Sequence, residues 1–421
     1  MQSVLRILEK LLAKLAKAII NKYQPKIVGI TGSMGKTSAK EAVYAVLNGK
    51  FNVRKNIKNY NNEIGVPLTI IGVETGGRSP IKWGLVFLRA VKLIFTRQKD
   101  YPEVLVLEMG ADKPGDIGYL VNLFPCDIGV VTKIGPAHME AFKTVEKITR
   151  EKQKMVTHLD KDKIAVLNCD DELVRAMHKK VKAKVIFFGY SEEANIRSVD
   201  LHNQGDGMDL TGIKFKIAYG GSTVPVALPG VVGAHQINSA LSAAAVGIAL
   251  GMNLIEVSEG LKNYKAPKGR MSLVQGKQTL IIDDTYNSSP RAASAALDAL
   301  QKLQIEQVER KIAVLGDMLE LGDFSEQAHL ELGQKAAESE VDLLVCIGPS
   351  RELIAKGAEK AGLSLEKIMQ IPDSNLAADK MIDIIKENDL VLVKGSRGMR
   401  MELIVKALMK EPELAEQLLV K

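Results

Sequence analysis

Short apolar runs alternate with amphipathic stretches along most of this 421-residue chain. Residues 27–30, 104–107, 128–132 and 164–167 are too short for helices and carry no polar alternation, so they predict strands buried on both faces. Helical periods lie between them, and that alternation predicts a mostly parallel sheet covered on both sides. Residues 201–229 change character: they are Gly-rich, with strand-like pieces at 213–218 and 224–227, and read as a hairpin excursion of the same domain. An Ala-rich helix is expected over 233–251 and a shorter one over 254–263. A second alternation begins after Gly269-Arg270, with strands at 280–283, 312–315, 343–347 and 390–393 and helices starting near Pro290, Ser325, Ser350 and Asn375. The expected class is α/β: a mostly parallel sheet domain over 26–270 and a smaller Rossmann-like α/β domain over 271–421, with Lys265 to Gly269 as the hinge.

Two further segments are amphipathic and basic. Within residues 1–22, Leu5, Leu8, Leu12, Leu15 and Ile19 step along one face, while Arg6, Lys10, Lys14 and Lys17 lie elsewhere, which sets residues 1–25 apart as an N-terminal helix. Residues 81–97 are rich in Trp, Leu, Phe and Val but are interrupted by Arg89 and Lys92, so they are too short and too charged to span a bilayer. Scattered charge and the lack of a small-residue cleavage site do not fit a signal peptide. Such helices either cover a core, their commoner use, or lie on a membrane surface as a peripheral contact.

Charge and cysteines narrow the class. A net charge of +7 and a pI near 9.0 suit a polyanionic ligand or an acidic surface. Aromatic residues make up only 5%, and no basic stripe interleaved with aromatics appears, so nucleic acid is not the expected partner. Cys126, Cys169 and Cys346 are isolated and odd in number, which predicts reduced thiols in a cytoplasmic protein rather than a disulfide or zinc framework.

The candidate chemistry starts at Thr31-Gly32-Ser33-Met34-Gly35-Lys36-Thr37, between a strand and a helix running on from Ser38. Glycines let backbone N–H groups approach a phosphate, Lys36 supplies charge toward its outer oxygens, and the Thr37 hydroxyl suits Mg²⁺. A full P-loop would carry glycine at position 30, where Ile30 stands, so only the shorter core is present. Glu108 ends the strand at 104–107 and is either a Mg²⁺ ligand opposite Thr37 or a solvated strand-end acid. His138, in a Gly-Pro turn past the next strand, is either an active-site group or a structural one. Lys152, among Arg150, Glu151 and Lys154, reads on its own as part of a solvated charged face.

Taken in order, the phosphate turn, Asn59-Tyr60-Asn61-Asn62-Glu63-Ile64-Gly65-Val66-Pro67, Glu108-Met109-Gly110-Ala111, His138-Met139-Glu140 and Lys152 resemble the Mur ligase family. Asp283-Asp284-Thr285-Tyr286-Asn287, Gly316-Asp317-Met318-Leu319-Glu320-Leu321-Gly322 and Lys394-Gly395-Ser396-Arg397 resemble its MurF branch, and the likeness runs from residue 26 onward. It implies an ATP-dependent, ADP-forming amide ligase that adds D-alanyl-D-alanine to a UDP-N-acetylmuramoyl tripeptide in peptidoglycan precursor synthesis, through an acyl phosphate and with two Mg²⁺ ions. By the same likeness Lys36, Lys152, His138 and Glu108 are catalytic. Thr37, Glu108, His138 and a carbamylated Lys152 hold metal, and Gly32, Ser33, Gly35, Ser38, Arg270, Asp284 and Asn287 bind ATP. Asn61, Asn62, Lys394 and Arg397 bind substrate, and the enzyme is expected to be a monomer.

Two departures qualify the likeness. The family's His-Asn-x-x-Asn helix start is His235-Gln236-Ile237-Asn238-Ser239 here, so Gln236 or Asn238 is expected to supply the amide that meets adenine. Only about 25 residues precede the phosphate turn, where the family carries a UDP-gripping domain. The expectation is a truncated N-terminus and a different, weaker or dispensable UDP grip. Two other readings follow: a Mur-like ligase for another acidic or carrier-linked substrate, and a noncatalytic nucleotide-binding scaffold at a membrane surface, which would show loss of metal-site residues.

Overall fold

The computed structural model describes residues 2–420 except Lys58, Asn59, Ala137, Asp206 and Gln278, and leaves aside the side chains at 2–6, 234 and 235. The Leu5 and Arg6 side chains of the N-terminal pattern, Asn59 and Ala137 of the two loop motifs, and the His235 side chain lie outside the described residues.

The first sheet is built from β1 (Lys26–Thr31), β2 (Val53–Lys55), β3 (Val104–Glu108), β4 (Ile128–Val131), β5 (Ile164–Asn168), β6 (Lys184–Gly189), β7 (Ile196–Gln204), β8 (Gly212–Tyr219) and β9 (Ser222–Pro229), in the order β2-β3-β1-β4-β5-β6-β7-β8-β9. The strands β3 and β4 are buried throughout, as expected where helices cover both faces of a parallel sheet. One face carries α1 (Gln2–Tyr23), α3 (Gly65–Ile71), α4 (Pro80–Phe95), α5 (Asp116–Leu123) and α7 (Val145–Thr157). The other carries α2 (Lys36–Leu47), α9 (Ala234–Ala249) and α10 (Leu254–Leu261). Short α6 (Met139–Phe142) and α8 (Glu172–Arg175) follow β4 and β5. From β7 onward the pairing is antiparallel, and β8 alternates buried Ile213, Phe215 and Ile217 with exposed Lys214 and Lys216, because only one of its faces meets the core.

Strands β2, β6 and β7 lie outside the sequence reading. In β2 three half-buried residues, Val-Arg-Lys, give no apolar run, and β7 is polar over most of its length. The basic helices α1 and α4 pack: Leu12, Ala16 and Ile19 of α1 and Val86, Ala90 and Leu93 of α4 enter the same core. Lys22 Nζ donates to the carbonyls of Leu93 (3.0 Å) and Ile94 (2.8 Å), so α1 closes the carboxyl end of α4.

The second sheet has β10 (Ser272–Gln275), β11 (Leu280–Asp284), β12 (Arg310–Gly316), β13 (Leu343–Ile347), β14 (Ile368–Ile371) and β15 (Asp389–Lys394) in the order β10-β11-β15-β12-β13-β14, parallel except for β10. Its first helix, α11 (Pro290–Lys302), starts with Pro at the opening turn. The end of the first sheet domain is stitched to β10, with Leu273 N donating to Gly230 O at 3.0 Å.

Arg291 of α11 forms a separate strap between the domains. Its Nη1 donates to the Ile134 carbonyl, and its Nη2 lies 3.6 Å from Asp171 Oδ2, which also accepts from Ile134 N at 3.2 Å. The second domain therefore holds the loop that leads from β4 to His138. Replacing Arg291 by Ala removes charge-assisted bonds worth about 1–3 kcal/mol. With one dye on each domain, the Arg291→Ala distance distribution is expected to broaden while each domain melts as before; an unchanged distribution would mean that the strap bears no load.

Candidate active site

The turn from β1 into α2 is shaped by what lies beneath it. Gly32 has φ 149, and a Cβ there would fall 2.1 Å from Thr132 Oγ1. Gly35 is left-handed (φ 80) and precedes a helix whose N-terminus has no side-chain cap, so the first N–H groups of α2 face the cleft. The loop after β4 braces the turn: Ser33 N donates to Lys133 O (2.7 Å), Ser33 Oγ to Gly135 O (2.9 Å) and Thr132 Oγ1 to Met34 O (2.6 Å). Lys36 Nζ curls onto the carbonyls of Gly32 (2.8 Å) and Ser33 (3.3 Å). Burial pulls its pKa below the usual lysine value, with Glu108 opposing that shift and Arg270 adding to it.

Strand register brings Glu108 to this turn, opposite Ile30 on the neighbouring β1. Glu108 is 4% exposed; its Oε1 accepts from Asn61 Nδ2 (3.1 Å), and its Oε2 lies 3.7 Å from Nζ of the buried Lys40. It is therefore no solvated strand-end acid. Lys40, which the sequence reading passes over, sits one helical turn beyond Lys36, a spacing recognisable only in hindsight. Asn62 spends its Oδ1 on the N–H groups of Ile64 and Gly65 at the start of α3, while both Asn61 and Asn62 line the cleft.

Lys152 is the largest departure from the residue-by-residue reading. On α7, Glu151 accepts from the N–H groups of Gly115 (2.9 Å), Ile117 (2.8 Å) and Gly118 (3.3 Å), capping the start of α5. That bond set fixes the roll of α7 and turns Lys152 inward, where it is 4% exposed rather than on a solvated face. It lines a pocket of about 60 Å³ with Lys36, Asn61, Asp112 and His138. No hydrogen bond or ion pair of its Nζ occurs among the described residues. Burial, and next the charge of Lys36, lower its pKa to about 7.

His138 opens α6 with a left-handed backbone (φ 51), a conformation that costs a non-glycine residue of order 1–3 kcal/mol. Its Nε2 lies 3.7 Å from Asp112 Oδ1. Asp112, in the loop after β3, carried no signal in sequence because neither its spacing nor its neighbours mark it.

The far wall of a cleft of about 1100 Å³ comes from the second domain and the hinge: Arg270, Asp284, Tyr286, Asn287 and Lys394. Asp284 and Lys394 end the paired strands β11 and β15, and their side chains meet at 2.6 Å. Lys394 Nζ also donates to Asn287 O (3.0 Å), so it organises the loop before α11. The Arg270 guanidinium stacks 4.2 Å above the Tyr286 ring, and its buried Nε has no partner among the described residues. Asn238 lines the same cleft, and its Oδ1 has no partner among the described residues.

Two expected contacts do not line the cleft. Gln236 is fully buried and does not line the cleft: its Oε1 accepts from Tyr264 OH and its Nε2 donates to Arg270 O, both at 2.7 Å, so neither end of the amide is available to adenine. Arg397 also stands off the cleft wall and faces Glu402 at 3.5 Å. Ser38 is buried behind the turn, though it still borders the cleft. Asn168, Asp170, Phe188 and Tyr190 at the ends of β5 and β6 extend the wall and were not marked in sequence.

Comparison with known proteins shows what the chain resembles. The family model described as "Mur ligase middle domain" matches residues 30–78 and 88–247, and that described as "Mur ligase, glutamate ligase domain" matches 269–397. The UDP-N-acetylmuramoyl-tripeptide--D-alanyl-D-alanine ligase of Bacillus subtilis is 30% identical over 406 residues, covering 95% of this chain and 79% of its own length. Its counterpart in Mycobacterium leprae is 33% identical over 413 residues, covering 92% and 74%. The crystal structure of MurF ligase from Thermotoga maritima in complex with ADP superposes with a TM-score of 0.77 at 30% identity, covering 96% of this chain and 84% of that one. The chain belongs to the Mur ligase family.

Proposed function

We propose that the protein is an ATP-dependent, ADP-forming ligase of the MurF kind, joining D-alanyl-D-alanine to a UDP-N-acetylmuramoyl tripeptide. The observation that carries this reading is the convergence, in one cleft, of the Lys36 turn, the Glu108 carboxylate and the Lys152 pocket, facing Arg270 and the Asp284–Lys394 pair. A noncatalytic scaffold has no use for that set, all of which is retained.

In this reading the N–H groups at the start of α2 and the Lys36 ammonium hold the β- and γ-phosphates, and Arg270 with Asn238 flanks the nucleotide from the hinge side. The peptide carboxylate takes the γ-phosphoryl group, giving an acyl phosphate and ADP. The amine of the dipeptide attacks the acyl carbon, and phosphate leaves as the amide forms. Lys36 neutralises charge on the moving phosphoryl group, and the cleft walls exclude water from the acyl phosphate. Asn61 orients Glu108, and Lys394 holds Asp284 and the Asn287 loop.

Magnesium fits the residues present. Thr37 and Glu108 border the same cleft, and a hydroxyl and a single carboxylate beside phosphate oxygens are the donor set Mg²⁺ favours. When bound, Mg²⁺ would neutralise phosphate charge. Among the described residues no group of three or more His, Cys, Asp or Glu side chains gathers, so a second ion near His138 would have the Asp112 carboxylate and would need Lys152 to supply another anionic ligand. A neutral amine adds CO₂ to give a carbamate and a proton, and Lys152 has the small pocket and lowered pKa this requires.

Three measurements follow. Purified protein should release ADP over many turnovers only when the tripeptide precursor and D-alanyl-D-alanine are both present; failure with every combination of metal and bicarbonate would remove the assignment. Lys152→Ala should lose activity about a hundredfold or more and regain part of it with short carboxylic acids, because a free carboxylate can replace the carbamate. At limiting CO₂, activity should rise with pH through about 7, since protonated Lys152 cannot add CO₂ and the deprotonated form accumulates above that value. A profile flat through this range, with CO₂ without effect, would leave Lys152 a purely structural lysine.

A further inference from the structure

Helix α4 is apolar on two faces, and the protein covers only one. Val86, Ala90 and Leu93 are buried against the first domain, whereas Ile81 (79%), Leu85 (60%), Leu88 (65%), Val91 (42%) and Phe95 (81%) are exposed. These five recur at spacings of three and four and form one continuous stripe along the outside of the helix. A stripe of that size on a soluble surface marks a place where something else sits.

Charge identifies the occupant. From Gly76 to Lys99 the chain carries Arg78, Lys82, Arg89, Lys92, Arg97 and Lys99 and no acidic residue. Lys92 is exposed within the stripe, one turn beyond Leu88, and Lys82 is exposed beside it, while α1, packed against α4, adds exposed Ile7 and Leu11 together with Lys10 and Lys14. An isologous pairing of two copies through this helix would bring these bases together with no acid on the helix to answer them. An anionic bilayer surface answers both features at once, taking the large apolar side chains at the acyl boundary and the bases at its headgroups. Among the described residues no helix is long and apolar enough to cross a membrane, so the contact is lateral.

We infer that the outer face of α4 is a peripheral docking surface for membranes rich in anionic phospholipid. It is independent of the ligase reading, because none of the stripe residues borders the cleft.

The test is co-sedimentation of the full chain with vesicles of phosphatidylcholine alone and of phosphatidylcholine with phosphatidylglycerol. Binding is expected only to the anionic vesicles and should weaken as salt is raised. Leu85→Ser, Leu88→Ser and Phe95→Ser combined should lower the partition coefficient about tenfold or more while ligation in solution is unchanged, which also reports that the variant is folded. Lys82→Gln with Lys92→Gln, at exposed positions that bear on folding less, should lower it by about tenfold as well. Absence of binding to anionic vesicles, or binding that neither variant reduces, would overturn the inference. A concentration-dependent dimer that the triple serine variant dissolves would overturn it too, assigning the stripe to a second copy.

Discussion

Two lysine side chains from different elements are driven into one small pocket, and the rest of the site is arranged around that conflict. Lys36 is fixed by the phosphate turn and Lys152 by the roll of α7, which Glu151 sets through the capped start of α5. An ammonium held out of water costs several kcal/mol, and a second of like sign beside it raises the cost further. Among the described residues no ion pair relieves Lys152, so its amine is displaced toward the neutral form, while Lys36 keeps loop carbonyls as partners. A pocket that penalises two cations favours the neutral amine at Lys152 and an anion beside Lys36.

Sheet topology supplies the geometry for this. With β1 between β3 and β4, the Gly32–Thr37 turn, the acid that ends β3 and the loop that carries His138 emerge side by side at the carboxyl ends of adjacent strands. The second domain repeats the device: Asp284 and Lys394 end adjacent strands and face the same cleft. Arg291 then ties the two sets together through the Ile134 carbonyl, so the loop bracing the phosphate turn is held from both domains. Closure of such a cleft excludes water from a reactive acyl intermediate, which serves a ligase directly.

Much of this was legible in the chain. The buried strands at 27–30 and 104–107 announce themselves as unbroken apolar runs, and Gly32 to Thr37 announces a phosphate site because glycine and lysine recur where a helix must begin. Lys152 was not legible from its neighbours, since Arg150, Glu151 and Lys154 make a charged segment whose inward turn depends on a bond from Glu151 to a distant helix start. Gln236 misled for a similar reason: an amide at a helix start suits a ligand, but Tyr264 and Arg270, remote in sequence, claim both of its ends. Asp112 and Arg291 had no local signature at all, because tertiary contact alone gives them a role.

The most direct test of the account is the chemical state of Lys152 itself. Carbon-13 NMR of the protein equilibrated with labelled bicarbonate at pH 8 should give a carbamate carbonyl resonance that disappears in Lys152→Arg. Absence of that resonance in the native protein, with Lys152 titrating as an ordinary lysine, would contradict the claim that burial beside Lys36 prepares it to become a ligand.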